Sequence, residues 1–195
     1  MIQIIKIKEV CLQHNLKLHL DGARLFNAII AKGETPKQYG EIFDSISICF
    51  SKGLGAPVGS VLVGSKLFIE KARRYRRLFG GGMRQAGVIA AGALYALQNN
   101  IERLAEDHKR AKEIGACLAQ CTFVQELFPV CTNIIIFKLK DQVPSDVFLE
   151  KLKAEGIIAN TMGKQCIRFV THLDFNDEML AKLIITLNKI SNLVE

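Results

Sequence analysis

SISICFSKGLGAPVGSVLVG, residues 45–64, decides how this chain folds. SISICF alternates polar and apolar residues, as a strand covered on one face does. It stops just before Lys52. Gly53, Gly55 and Gly59 follow, and SVLVG reads as another strand beyond the turn. Lys52 then has three readings. A phosphate-gripping lysine of the Walker type has its glycines before it, whereas here they come after. A plain surface charge at a turn is the ordinary role for a lysine. The third reading is an amine held ready for covalent chemistry. Cys49 and Phe50 imply a buried approach, and glycines let backbone crowd the lysine stem. An ammonium desolvated in that way would become a more available nucleophile.

Working outward, LKLHL alternates from Leu16 to Leu20 and predicts a strand with Asp21 at its C-terminal end. Asp21 and Lys52 are 31 residues apart, a spacing that suits one strand–helix–strand crossover. Such a crossover brings both strand ends to the same side of a parallel sheet, where ligands bind. Asp21 also reads as a helix cap before GARLF.

The rest of the first hundred residues is expected to carry a helix over 2–14, a short helix near Arg24 to Lys32 and a loop at KGETPKQYG. Ser65 is expected to cap a helix to about Phe79. MRQAGVIAAGALYAL then reads as a helix whose small side chains predict extensive burial. These residues predict an α/β unit with a parallel sheet. From Ile101 the pattern changes. Residues 104, 108, 111, 115 and 118 mark an amphipathic helix, NIIIFKL a strand, and Pro144 and Ser145 the start of a helix that Gly156 stops. IIAN and CIRFVT are short strands that pair. NDEMLAKLIITLNKISNLV is a final helix capped by Asn176. The expected division is therefore 1–100 and 101–195, the second part a small α+β domain.

Hydrophobic residues make up 49% and charged residues 23%, the balance of a globular protein that is not membrane-embedded. Lys6, Lys8 and Glu9 interrupt any secretory apolar core at the start, which points to the cytoplasm. The six cysteines include no CxxC pair and read as reduced, mostly buried thiols, with no metal site expected. The net charge of +7 is concentrated in KLFIEKARRYRR. Only Tyr75 interleaves with those cations, so a solvated helix face is expected and neither nucleic acid nor membrane is an expected partner.

LHLDGARLFNA (18–28), SKGLGAPVGS (51–60), GGGMRQAG (80–87) and CIRFVTHLD (166–174) resemble, in the right order, the hallmark stretches of low-specificity threonine aldolases. These are pyridoxal 5'-phosphate enzymes of the aspartate-aminotransferase fold type. The resemblance implies an α/β fold: the C-terminal part of such a transferase fold, a partial, parallel-rich sheet with helices, followed by the small domain. It matches Lys52 to the lysine that holds the cofactor covalently and Asp21 to the acid that keeps the pyridine nitrogen charged. Arg24 matches an arginine near the ring oxygen and the substrate, Arg84 one associated with the cofactor phosphate, and Arg168 the one that grips the substrate carboxylate. Arg77 lies where members carry a basic residue near the site. The implied reaction is retro-aldol cleavage of L-threonine or L-allo-threonine to glycine and acetaldehyde. None of His14, His19, His108 and His172 matches a general base.

Members of this family carry further strands, a phosphate-binding turn and a stacking histidine ahead of the Asp21 stretch. The chain therefore reads as N-terminally truncated, with weak cofactor binding and impaired activity alone. An open sheet edge predicts a homo-oligomer, dimer or tetramer. The alternatives are a β-eliminating lyase of another amino acid and a non-catalytic interaction module that keeps the fold.

Overall fold

The computed structural model describes residues 1–192. The chain separates into two compact units, Met1–Glu102 and Arg103–Glu195.

The first unit runs α1 (Ile2–Gln13), β1 (His19–Gly22), α2 (Leu25–Lys32), α3 (Pro36–Ile42), β2 (Ser45–Cys49), β3 (Ser60–Gly64), α4 (Lys66–Leu78) and α5 (Gly87–Asn99). Its sheet has the order β1-β2-β3. β1 and β2 are parallel, as the Asp21–Lys52 spacing suggested, but β3 turns back antiparallel to β2. The sheet is thus mixed, because the loop of residues 50–59 is too short for a crossover to a parallel strand. α2 buries Leu25, Phe26 and Ile29, and Ile46 is buried on β2. The first strand begins at His19, later than the leucine alternation suggests: Leu16 is exposed and the helix α1 ends only at Gln13.

KGETPKQYG is not wholly a loop. Its second half is α3, started by a full capping box: the Gln38 backbone N–H donates to Thr35 Oγ1, and the Gln38 side chain accepts from the Thr35 backbone at 2.7 Å. Pro36 fits the first helical turn, where its missing N–H costs nothing.

The expectation of a largely buried α5 fails. Only Ala96 is buried, while Val88 is 80% and Tyr95 64% exposed. Small residues permit close packing but do not supply the neighbour, and no described element covers this face. The thiols also differ from expectation. All six cysteines are free, but only Cys121 is buried and Cys131 is exposed.

Asp44 joins α1 to the sheet. It accepts hydrogen bonds from the Leu18 backbone at 2.9 Å, from Lys8 at 2.7 Å and from Lys17 at 3.2 Å. The Leu18 bond first, then the two lysines, hold its carboxyl well below the usual carboxylate range. A depressed folded-state pKa stabilises above the unfolded value, about 3.9, and that contribution is lost as pH falls through the folded value. An Asp44→Asn variant is therefore expected to lose less stability than the wild type between about pH 5 and pH 2. Urea unfolding at each pH checks this; parallel losses would remove Asp44 from the acid sensitivity.

The second unit runs α6 (Leu104–Leu118), β4 (Val124–Leu127), β5 (Ile134–Leu139), α7 (Ser145–Ala154), β6 (Asn160–Thr161), β7 (Cys166–Val170) and α8 (Asp177–Asn192). The last residues of the expected final helix lie outside the described residues. Its antiparallel sheet has the order β4-β5-β7-β6. Ile135, Phe137 and Leu139 of β5 and Ile167 and Phe169 of β7 alternate onto one buried face. The helices close that face: Leu104, His108, Ala111, Gly115 and Leu118 of α6 are all buried, with Asp107 and Ile114 beside them. Asn176 Oδ1 accepts the Met179 N–H at 2.9 Å and caps α8.

Gln165 stitches this unit together. Its Oε1 accepts the Ser145 N–H at the start of α7, and its Nε2 donates to the carbonyls of Val143 at 2.8 Å and Lys140 at 3.2 Å. Truncation orphans one donor and two acceptors in a half-buried place. Gln165→Ala is expected to cost about 1–3 kcal/mol. Chemical denaturation of the two proteins measures it; a loss below about 0.5 kcal/mol would mean that water replaces all three bonds.

Candidate active site

The parallel register sets Asp21 opposite Ser47 and Gly22 opposite Ile48. Side chains alternate along each strand, so His19 and Asp21 share one face with Ser45, Ser47 and Cys49. Leu20, Gly22, Ile46 and Ile48 occupy the other face, against which α2 packs: a Cβ on Gly22 would lie 3.3 Å from that of Leu25. The first face is polar. His19 Nδ1 and Ser45 Oγ are 2.8 Å apart on it. Asp21 is exposed, and its Oδ1 accepts the Ala23 N–H at 3.2 Å. That bond closes a local turn before α2. The helix N-cap itself is Arg24, whose side chain makes no cap bond and is half-buried.

Lys52 leaves the end of β2 three residues after Cys49. Its loop is held from several sides. The Gly55 N–H donates to the Lys52 carbonyl at 2.9 Å, Ala56 to Phe50 at 2.9 Å, and Phe50 to Gly59 at 3.0 Å. Gly55 and Gly59 have φ of 70° and 117°, values that favour glycine. Leu54 and Phe50 are buried under the loop, and Asn100 Nδ2 donates to the Leu54 carbonyl at 2.7 Å. α5 braces the far side, where a Cβ on Gly92 would meet Pro57 Cδ at 2.9 Å. The loop backbone is fixed, but the lysine side chain is exposed. The desolvated amine expected from Cys49 and Phe50 is therefore not produced by this chain's own packing.

Asp21 lies near the C-terminal end of β1, Arg24 follows that strand, and Lys52 follows the C-terminal end of its parallel neighbour β2. Arg77 lies exposed in the last turn of α4, and Arg84 is exposed in the connection before α5, next to Gln85 at φ 49°. Arg168 belongs to the second unit. It is half-buried on β7, in register with Ile136 and Asn160, and lines a cavity of about 290 Å³ with Ile157, His172 and Phe175. His108 is buried in the core, whereas His14 and His172 are exposed.

Cys49, which the sequence suggested only as part of a buried approach, has a thiol with its own electrostatic setting. Burial pushes its thiol pKa up, but the Ser51 hydroxyl at 3.3 Å, the backbone N–H groups of Ser51 and Lys52, and the Lys52 charge outweigh it. The net direction is downward. The Cys-x-Ser-Lys spacing was the available signal.

The sequence pattern of the beta-eliminating lyase family matches residues 1–142. The chain belongs to the beta-eliminating lyase family. Within reach of that family's members, it is 44% identical over 170 residues to the low-specificity L-threonine aldolase 1 of Arabidopsis thaliana, a match covering 86% of this chain and 48% of that protein. It is 46% identical over 176 residues to the low-specificity L-threonine aldolase of Candida albicans, covering 90% and 46%. The chain spans about half the length of the curated relatives it matches. The structure of Leishmania major threonine aldolase superposes with a TM-score of 0.77 at 18% identity, over 96% of this chain and 56% of that one, which shows the shared fold. No described helix is long and apolar enough to cross a membrane.

Proposed function

We propose that this chain is the lysine-bearing part of a pyridoxal-phosphate-dependent aldehyde-lyase that cleaves L-threonine and L-allo-threonine to glycine and acetaldehyde. The observation that carries the reading is the parallel β1–β2 pair, which sets a carboxylate and an amine at one sheet end in a chain 44% identical to a threonine aldolase. The residue types would suit the cofactor: the Lys52 amine for its aldehyde, the Asp21 acid for its ring nitrogen and, three residues after that acid, the Arg24 guanidinium.

Bound there, the cofactor would supply an electron sink for the pair left when the Cα–Cβ bond breaks. Lys52 would hold it covalently. Asp21 would keep a proton on the pyridine nitrogen by a charge-assisted hydrogen bond. Arg24 would sit by the ring oxygen and the substrate, and Arg84 by the phosphate. Arg168 would take the substrate carboxylate in a two-point grip that lysine could not reproduce. Residues 1–100 would form the C-terminal half of the cofactor domain and 101–195 the small domain. Cofactor affinity of this chain alone would be weak, with Arg84 the residue matched to the phosphate. The protein would work in the cytoplasm as a homo-oligomer, which the exposed apolar residues of α1 and α5 favour.

The family's own description keeps a second reading in play, elimination from another amino acid. Incubation with pyridoxal phosphate and each amino acid separates them. Glycine and acetaldehyde support the aldolase; ammonia and a keto acid support elimination. Neither product at saturating cofactor would leave a non-catalytic module.

A further inference from the structure

Arg168 shares its cavity of about 290 Å³ with a second polar side chain, His172, which stands just past the end of β7. The volume is at the small end for ligand pockets, which begin at roughly 300 Å³. Among the described residues around it, Arg168 carries the one fixed charge and none is an acid. Asn160, opposite Arg168 across the β6–β7 pair, adds a neutral amide.

The turn after β7 sets the chemistry of His172. Its Nδ1 accepts the Asp174 N–H at 3.2 Å. A ring nitrogen that accepts carries no proton, so in the neutral ring the proton sits on Nε2 and makes that atom a donor. The Asp174 carboxylate, 3.9 Å from Nδ1, is too far to bond it. The backbone just before His172 is fixed. The Thr171 N–H donates to the Asn133 carbonyl at 3.0 Å, and Asn133 Nδ2 donates to the Thr171 carbonyl at 2.8 Å. Thr171 lines the cavity too, but its hydroxyl donates to the Asp107 carbonyl at 2.7 Å and so serves the core.

The cavity therefore combines a guanidinium and an imidazole N–H with apolar walls that include Ile157 and Phe175. A carboxylate suits that pair. It has about four lone-pair sites, so a forked bond to an arginine leaves room for a further donor.

We propose that His172 is a second substrate-binding residue, whose Nε2–H donates to the carboxylate that Arg168 grips. It acts as a neutral donor and not as a base. The role of Arg168, on which this rests, comes from the aldolase reading.

The test follows the Arg168 Nε–H resonance of the nitrogen-labelled full chain by NMR, identified by its loss in Arg168→Lys. L-Threonine is expected to shift it saturably. L-Threoninol, which has no carboxylate, is expected to leave it in place. His172→Asn keeps an acceptor for the Asp174 N–H but has no donor at the Nε2 position, and its half-saturating concentration is expected to rise roughly tenfold or more. His172→Gln restores a donor there and is expected to return to within about threefold of the wild type. A residue that only held the turn would give the reverse order, because asparagine keeps the turn bond and glutamine does not. That reverse order, equal half-saturation in the three proteins, an equal response to L-threoninol or no response to L-threonine would each overturn the proposal. Adduct formation at Lys52 with pyridoxal phosphate tests the aldolase reading in the same protein, so the two can fail separately.

Discussion

Lys52→Ala is expected to cut any acetaldehyde release from L-threonine by about a thousandfold or more, to the level of free cofactor. The Lys52 loop is fixed by four backbone and side-chain hydrogen bonds that do not use the lysine's own side chain. Alanine removes the amine and leaves the loop in place, so stability should stay within about 0.5 kcal/mol. The same variant should lose the borohydride-stable cofactor adduct. Where the chain's own turnover is too low to measure, adduct formation followed by mass spectrometry gives the readout. An adduct of unchanged yield in the variant would place the covalent chemistry on another lysine.

Phe148→Ala carries the largest stability change. Phe148 is fully buried, with its ring centroid 5.0 Å from that of Phe123 and 6.0 Å from that of Phe137. It comes from α7 and fills the space between that helix and β5. Removing it leaves a cavity among rigid neighbours, which costs about 3–5 kcal/mol. A domain is held by only about 5–15 kcal/mol, so the second unit would lie close to its unfolding threshold. The urea midpoint is expected to fall with the slope unchanged. Val147→Ala, one residue away and exposed, is the control, with an expected change under about 0.5 kcal/mol. Equal shifts for the two would show that this core does not rest on the phenylalanine cluster.

What could be read in advance follows from which interactions are local. The α6 helix was legible because its buried positions repeat at helical spacing, and Asn176 because a cap bonds its own next turn. The parallel β1–β2 pair was legible through spacing, since a crossover has a minimum length. α3 had its signal too, Thr35-Pro36 with Gln38, but glycine and proline read first as loop. β4 escaped because VQEL is short and its pairing shifts register between Val124 and Glu126. The exposure of α5 could not be read at all. Burial belongs to a pair of surfaces, and a sequence shows only one of them.

The buried charges make the same point. Asp107 is fully buried and paired with Arg103, whose Nη2 donates to Oδ1 at 2.6 Å and Nη1 to Oδ2 at 3.3 Å. Thr171 at the end of β7 donates to the Asp107 carbonyl at 2.7 Å, and the Asn133 Nδ2 donates to the Thr171 carbonyl at 2.8 Å. Arg103 and Asp107 are one helical turn apart and could be paired on paper. The threonine that bonds the Asp107 carbonyl lies 64 residues further on, and only the folded strand brings it there.

The central claim is that the carboxylate at position 21 and the amine at position 52 serve one cofactor. Borohydride trapping with pyridoxal phosphate, mapped by peptide mass spectrometry in the wild type and in Asp21→Asn, tests it most directly. The adduct should concentrate on the peptide carrying Lys52 in the wild type, and that preference should fall roughly tenfold or more in the variant as the charge-assisted bond is lost. Labelling spread evenly over the exposed lysines, with no change between the two proteins, would contradict it.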